Sequence, residues 1–83
     1  MYTVEISKRA AQEIAKLDRD LQERAAARLG ELAQAPRPAG SKKLVGSEYW
    51  RIRIGDYRVV YSIEDKRLLV LVIRVAHRRE VYR

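Results

Sequence analysis

The last seven residues of the chain, HRREVYR (77–83), bring together one histidine, three arginines and one tyrosine. Arginine binds phosphate through a planar charged fork, and histidine exchanges protons near neutral pH. A second run of arginines precedes them in WRIRIGDYR (50–58). If the fold joins the two runs, they indicate acid–base chemistry on a phosphate. The alternative is a solvated charged tail.

The charge of the chain favours an anionic partner. It contains 18 Lys and Arg against 11 Asp and Glu, for a net charge of +7. Such an excess is typical of proteins that bind nucleic acid or an acidic protein. A merely soluble basic domain is the alternative interpretation.

The remaining composition excludes several classes of protein. The 83 residues form one domain (1–83), and 47% of them are apolar, which indicates a globular fold. Because there is no cysteine and only one histidine, we expect neither disulfides nor a metal site, and no cofactor. No apolar run is long enough to span a membrane and no signal peptide is apparent, so we expect a cytoplasmic protein.

The first half of the chain predicts a strand followed by a helical hairpin. Residues 2–6 alternate as a short strand does, and Ser7 is a plausible N-cap for the first helix. Asp20 resembles the start of a capping box for the second helix, although that helix could begin a residue or two earlier. The PRPAG segment (36–40) ends it, since proline cannot continue the helical hydrogen bonds.

The second half changes to the two-residue period of strands. Strands are predicted over 48–54, 57–63 and 68–76, and the last is apolar enough to be a central strand covered on both faces. The order β-α-α-β-β-β predicts an α+β fold, in which the helical hairpin packs on one face of a small, mainly antiparallel sheet.

Gly55 and Asp56 are typical of a two-residue hairpin turn, and this turn sets a register that pairs Arg53 with Arg58. The face toward the helices then carries Trp50, Ile52, Ile54, Tyr57, Val59 and Tyr61. The opposite, exposed face carries Arg51, Arg53 and Arg58. Like charges directly opposite each other destabilise a sheet, which favours a cationic surface that awaits an anion over a merely basic sheet face.

The tail should reach the same place. Antiparallel pairing of the last strand brings its end beside Tyr57 and Arg58, so the tail and the arginines can form one site. Arg74 stays ambiguous. A turn at Asp65-Lys66 would place it opposite Arg58, whereas a loop over 64–67 would turn it to the other face, so we leave it outside the site.

The residues at this place limit the chemistry. The arginine-bearing face has no paired carboxylates, and the chain has no glycine-rich phosphate loop or Ser-His-acid set. Arginine, tyrosine and one histidine could cleave RNA without metal through its own 2′-OH, given a base, an acid and cations. Nearby arginines favour ionisation of Tyr82, while His77 is either the proton carrier or an ordinary surface residue.

The stretches WRIRIGDYRVVY (50–61) and VAHRREVYR (75–83) resemble the RelE branch of the RelE/ParE toxin superfamily. The resemblance implies the toxin of a type II toxin–antitoxin pair, which cleaves mRNA in the ribosomal A site without metal. It also implies a RelB-like antitoxin that wraps and inhibits the toxin, and contact with operator DNA only through that complex. No membrane partner is implied.

The same resemblance assigns roles by position. Arg51 and Arg53 bind RNA and help to activate the 2′-OH or hold the phosphate, although the family's best-known branch has lysines there. Arg58 stabilises the transition state, and Arg78 serves the leaving group. Tyr82, one residue before the end of the chain, stacks on a base and acts as the general base or as a residue that orients the substrate. We also expect RNA-binding roles for Lys43, His77 and Arg79.

Two other functions share this fold and stay open. A ParE-like toxin would inhibit DNA gyrase by binding alone, and an inactive basic partner would only co-repress with its antitoxin. A gyrase inhibitor has no reason to gather Arg53, Arg58, Arg78 and Tyr82 around one phosphate.

Overall fold

A computed structural model describes residues 1–81 and has the predicted α+β architecture. The elements are β1 (Thr3–Ile6), α1 (Lys8–Ala15), α2 (Arg19–Gln34), β2 (Lys42–Lys43), β3 (Trp50–Ile54), β4 (Tyr57–Glu64), β5 (Leu69–His77) and α3 (Arg78–Val81). The strands form one sheet in the order β1-β5-β4-β3-β2. Only the β1–β5 pair is parallel in this part of the chain, so the predicted mainly antiparallel sheet is confirmed.

Side-chain caps fix where the two long helices begin. The Ser7 Oγ accepts a hydrogen bond from the Ala10 amide at 3.1 Å, which confirms the predicted cap of α1. The second cap is Asp18, whose Oδ1 accepts from the Leu21 amide at 2.9 Å. Asp20 therefore lies in the first turn of α2 rather than at its cap. It still favours the helix there, because negative charge near an N-terminus opposes the helix dipole.

The hydrophobic core fills the space between the helices and one face of the sheet. Its fully buried members include Ala10, Ala25, Leu32, Ile52, Val59, Tyr61, Val70 and Val72. The Tyr61 hydroxyl donates a hydrogen bond of 2.7 Å to the Pro36 carbonyl, and burial raises the pKa of Tyr61. This bond ties the segment after α2 to the middle of the sheet. None of the described helices is both long and apolar enough to cross a membrane.

The β3–β4 hairpin has the register that its turn predicts. Ile54 pairs with Tyr57, and Arg53 pairs with Arg58. Gly55 adopts a φ of 57°, a left-handed conformation that glycine accepts without strain, so the two-residue turn is built as expected. The predicted apolar face does pack against the helices.

The β4–β5 pair is irregular and follows neither of the two registers considered for Arg74. Glu64 pairs with Leu69 across a short 3-10 turn, and a β-bulge then inserts Ile73, so that Arg74 pairs with Val60. The Arg74 Nε donates to the Glu13 carboxylate of α1 at 3.2 Å. The Arg74 side chain is thus directed to α1.

One end of β5 extends past its parallel neighbour. Because β1 stops at Ile6, the Val75 amide donates instead to the Glu13 Oε1 of α1, at 2.7 Å. The side chain replaces a strand at this open edge. On the second face of β5, Leu71 and Ile73 are only half-buried, so the prediction of burial on both faces is wrong at these positions.

Candidate active site

Three arginines from separate elements meet at the closed end of the β3–β4 hairpin. Arg53 of β3, Arg58 of β4 and Arg78 at the start of α3 line a small depression of about 30 Å³, which we call the arginine depression. The turn residues Gly55 and Asp56 complete its wall, together with Tyr57. Its size suits one group held by the surrounding guanidinium groups rather than a large ligand.

The backbone holds the tail in this position. Tyr57 pairs with His77 and Arg58 pairs with Ala76, as antiparallel pairing predicts. The Arg78 amide then donates a hydrogen bond of 2.8 Å to the Asp56 carbonyl in the hairpin turn. The two arginine runs recognised in the sequence therefore meet, at least up to the start of α3.

The prediction of an exposed arginine face is wrong for two of its three residues. Arg58 is only 4% exposed and Arg51 only 7%, whereas Arg53 is exposed. The cause is local cover: α3 packs against β4 and β5, and the Arg51 Nη1 donates to the Gly40 carbonyl at 3.2 Å. Two of these arginines are thus held in place by the protein before any ligand arrives.

His77 lies outside the arginine depression. Its ring stands edge-on to that of Tyr57, with centroids 5.4 Å apart, and its Nδ1 accepts a bond of 3.3 Å from the Arg79 amide. It lines a separate cleft of about 200 Å³ beside Glu13 of α1 and Lys16, the residue that follows this helix. Tyr57 borders both spaces, so the two are neighbours divided by one aromatic ring.

The other predicted site residues have different placements. Arg79 is exposed at the start of α3. Lys43 lines a cleft formed with the loop before β3, away from the arginine depression. Tyr82 lies outside the described residues, so its predicted role stays a prediction.

Sequence reasoning missed three cationic residues near Arg53. Arg24 and Arg28 of α2 and Lys42 of β2 line clefts that also contain Arg53. The sequence carried one usable signal, because two arginines four residues apart lie on one face of a helix. Their meeting with β3 depends on how α2 packs. Within the described part of the chain, no three His, Cys, Asp or Glu side chains are placed to hold a metal ion.

Comparisons with known proteins cover nearly the whole chain. Residues 4–82 match the family model described as the ParE toxin of the type II toxin-antitoxin system parDE. Toxin RelG of Mycobacterium tuberculosis is 33% identical over 86 residues, which cover 99% of this chain and 97% of that protein.

Solved structures resemble this chain in fold and in sequence over nearly their whole length. The intact E. coli RelBE toxin-antitoxin complex contains a chain with a TM-score of 0.81 and 31% identity, covering 93% of this chain and 96% of that one. The archaeal RelE-RelB complex from Pyrococcus horikoshii OT3 gives a TM-score of 0.84 and 28% identity, with coverage of 93% and 94%.

Proposed function

Because this chain belongs to the ParE toxin family of type II toxin–antitoxin systems and is a RelE-like member of the RelE/ParE superfamily, we propose that it is a ribosome-dependent endoribonuclease. Its substrate is mRNA in the ribosomal A site, and the reaction needs no metal. It acts in the cytoplasm, where that substrate is found.

The arginine depression carries this proposal. Attack on a phosphodiester places extra negative charge on the phosphate oxygens, and donors positioned beforehand stabilise that charge. Arg53, Arg58 and Arg78 line one small space, and Arg58 is held there by burial. Arginine suits this task, since its fork can donate two parallel hydrogen bonds to a phosphate.

The proposed reaction is a transesterification followed by departure of one RNA fragment. A base removes the proton of the 2′-OH, and that oxygen forms a bond to the adjacent phosphorus. The bond from phosphorus to the 5′ oxygen breaks, and this oxygen takes up a proton. The products are a 2′,3′-cyclic phosphate and a 5′-hydroxyl. The 2′-OH is the nucleophile, so the step consumes no water.

The residues that line the arginine depression have separate proposed roles. Arg53 and Arg58 hold the phosphate and stabilise its charge, and Arg78 stabilises the leaving oxygen. Tyr82 is proposed as the base because several arginines near it in sequence favour its ionised form. His77 is left out of the proton transfer, since it lines the cleft beside α1.

The proposed partners follow from the family and the charge. A RelB-like antitoxin covers the basic surface and inhibits the toxin, which suits a chain of net charge +7. The toxin contacts operator DNA only within that complex. The similar solved structures support the antitoxin partner, since they are a RelBE toxin-antitoxin complex from E. coli and a RelE-RelB complex from Pyrococcus horikoshii OT3.

One experiment separates this proposal from gyrase inhibition. In vitro translation with primer extension is run on the purified chain, and gyrase supercoiling is measured in parallel. Cleavage within codons, with supercoiling intact, is the expected result. Lost supercoiling with intact message would select a ParE-like gyrase inhibitor instead, and no effect in either assay would indicate a partner that only co-represses.

A tyrosine variant tests the proposed base. Tyr82→Phe removes only the hydroxyl and keeps the ring for stacking, so we expect a slower single-turnover cleavage rate with unchanged RNA affinity. An unchanged rate would eliminate Tyr82 as the base.

A further inference from the structure

Two clefts adjoin the arginine depression on the side of Arg53 that faces α2. The first, of about 290 Å³, is lined by Arg28, Gly40, Lys42, Arg51 and Arg53. The second, of about 190 Å³, is lined by Arg24, Ala27, Arg28, Arg53 and Ile54. They share Arg28 and Arg53, so we treat them as one surface, the basic groove.

The groove exists because the short strand β2 covers only part of β3. Lys42 pairs with Arg51 and Lys43 pairs with Trp50, so in the described chain the strand edge beyond Arg51 has no strand beside it. Helix α2 packs against β3 here. Long side chains from α2, β2 and β3 therefore meet over one open edge.

Charge sets the basic groove apart from the other described clefts. A carboxylate residue lines each of three others: Asp56 in the arginine depression, Glu13 beside His77, and Glu48 beside Lys43. The linings of the basic groove contain five cationic residues and no acidic one; Asp20 and Glu31, which pair with Arg24 and Arg28, lie outside the linings. Gathered cations repel one another, and a bound anion relieves that repulsion.

We propose that the basic groove binds RNA phosphates outside the scissile linkage, with Arg28 as its main contact on α2. This inference rests on the proposed nuclease function. Arg53 lines both the arginine depression and the groove, so a strand held at the scissile phosphate continues past Arg53 into the groove.

The spacing of the groove suits an RNA backbone. Arg51 and Arg53 are two residues apart on one strand, which separates their Cα atoms by about 6.6 Å. That distance is comparable to the separation of successive phosphates along an extended single strand. Arg51 is already tethered to the Gly40 carbonyl, so a phosphate meets a guanidinium that needs little ordering.

Single-turnover cleavage on programmed ribosomes, measured against toxin concentration, tests the groove. Arg28→Ala should raise the half-saturating concentration about three- to tenfold and leave the maximal rate unchanged, because Arg28 is absent from the arginine depression. Glu31→Gln should lower that concentration, since Glu31 forms an ion pair with Arg28.

Arg67→Ala is the matched control. Arg67 also forms an exposed i,i+3 ion pair, with Glu64 at 3.0 Å, but it lies in the turn between β4 and β5, at the other end of the hairpin. It should leave the half-saturating concentration unchanged. If Arg28→Ala behaves like Arg67→Ala while the parent cleaves, the inference is overturned and the proposed function stands.

Neutral methylphosphonate linkages, placed one at a time in the mRNA, identify the RNA that is bound. If one such linkage abolishes the effect of Arg28→Ala, the groove binds an mRNA phosphate. If the effect persists at every position, it binds ribosomal RNA. Weaker binding to the antitoxin alone, with unchanged cleavage, would instead assign the groove to an acidic protein and overturn the inference.

A binding measurement keeps the two proposals distinguishable. If the parent protein cleaves nothing, the nuclease function fails, and fluorescence anisotropy with a labelled RNA oligomer still tests the groove. Removal of one cation that binds a phosphate should reduce the slope of log affinity against log salt by about 0.7. An unchanged slope for Arg28→Ala would contradict the groove even in that case.

Discussion

Arginine has opposite surroundings at the two ends of strand β4. Near its end, Arg37 forms an ion pair with Asp65 at 3.0 Å and stacks over the Trp50 ring at 5.2 Å. Near its start, about 20 Å away, Arg53 and Arg58 face each other across the hairpin. Arg37 thus contacts an acid and an aromatic ring, whereas Arg53 and Arg58 lie directly opposite each other in the strand pairing.

The comparison distinguishes an arginine that stabilises the fold from the two arginines that we propose bind the scissile phosphate. The Arg37–Asp65 pair joins the segment after α2 to the turn after β4, and the Tyr2 hydroxyl also donates to Asp65. Asp65 thus balances the charge of Arg37 within the chain itself. Opposed arginines cost stability in the free protein, and a bound anion offsets that cost.

The largest expected effect is on catalysis, from Arg58→Ala. Loss of one positioned donor in the arginine depression should slow single-turnover cleavage by roughly 10²–10³-fold. Because Arg58 is only 4% exposed, the variant also needs a thermal unfolding measurement. Arg58→Lys keeps the positive charge but loses the planar guanidinium. Its cleavage rate should lie between those of the parent and Arg58→Ala. If Arg58→Ala is folded and cleaves like the parent, the arginines at the start of β4 have no catalytic role that distinguishes them from Arg37.

Substitution of Arg37 should lower the stability of the protein and leave its cleavage rate unchanged. Arg37→Ala removes the stacking on Trp50, for which exposed pairs contribute about 0.5–1 kcal/mol, and this should lower the Tm by about 2–8 °C. Thermal unfolding and cleavage are measured on the same preparation. A loss of cleavage in the folded variant would contradict the division of roles.

Arg53→Gln should change the two properties in opposite directions. Removing the like charge opposite Arg58 should raise the free energy of unfolding by about 0.2–1 kcal/mol, which is a rise in Tm of about 1–8 °C. Cleavage should fall, because the variant removes a cation from the arginine depression. Arg67→Gln serves as the control for removal of an arginine elsewhere. A lower Tm for Arg53→Gln would mean that the opposed pair is not strained.

The smallest effect is the pH dependence of the Arg37 end. Hydrogen bonding from Arg37, with a further bond from Tyr2, holds the pKa of Asp65 below its ordinary 3.8. A lowered folded-state pKa stabilises the protein above pH 3.8, and that stabilisation is lost as pH falls through the folded value. The Tm of Asp65→Asn should therefore lie below the parent's at pH 7 and approach it in acid. A constant difference would rule out this linkage.

The sequence predicted best where local chemistry decides the structure. The Gly55-Asp56 turn fixed the hairpin register, and Ser7 capped α1, because each depends on residues a few positions away. The cap of α2 lies two residues before Asp20, within the range that the sequence leaves open, because Asp18 and Asp20 are both competent caps. Alternation along β3 placed Arg51 on the correct face.

The misses concern contacts between distant segments. Arg58 is buried on a strand that α3 contacts, and the Arg51 side chain donates to the Gly40 carbonyl. The two-residue period of a strand cannot predict either of these contacts. His77 and Lys43 were grouped with the arginines by type and proximity in sequence, whereas the fold places them in clefts of their own. Arg28 was passed over because it lies in another element.

The single extra residue at Ile73 has a consequence for the tail. Up to Val72 the even-numbered side chains of β5 point to the helices, and beyond the bulge Val75 does so instead. The bulge thus works as a one-residue frameshift, after which Arg78 falls on the side of Arg58. A regular strand that kept Ile73 would pair it with Val60 and turn Arg78 to the helical side, with the composition of the strand intact. A one-residue insertion between the bulge and Arg78 would have the same outcome, so selection on this toxin should act on spacing as strictly as on residue identity.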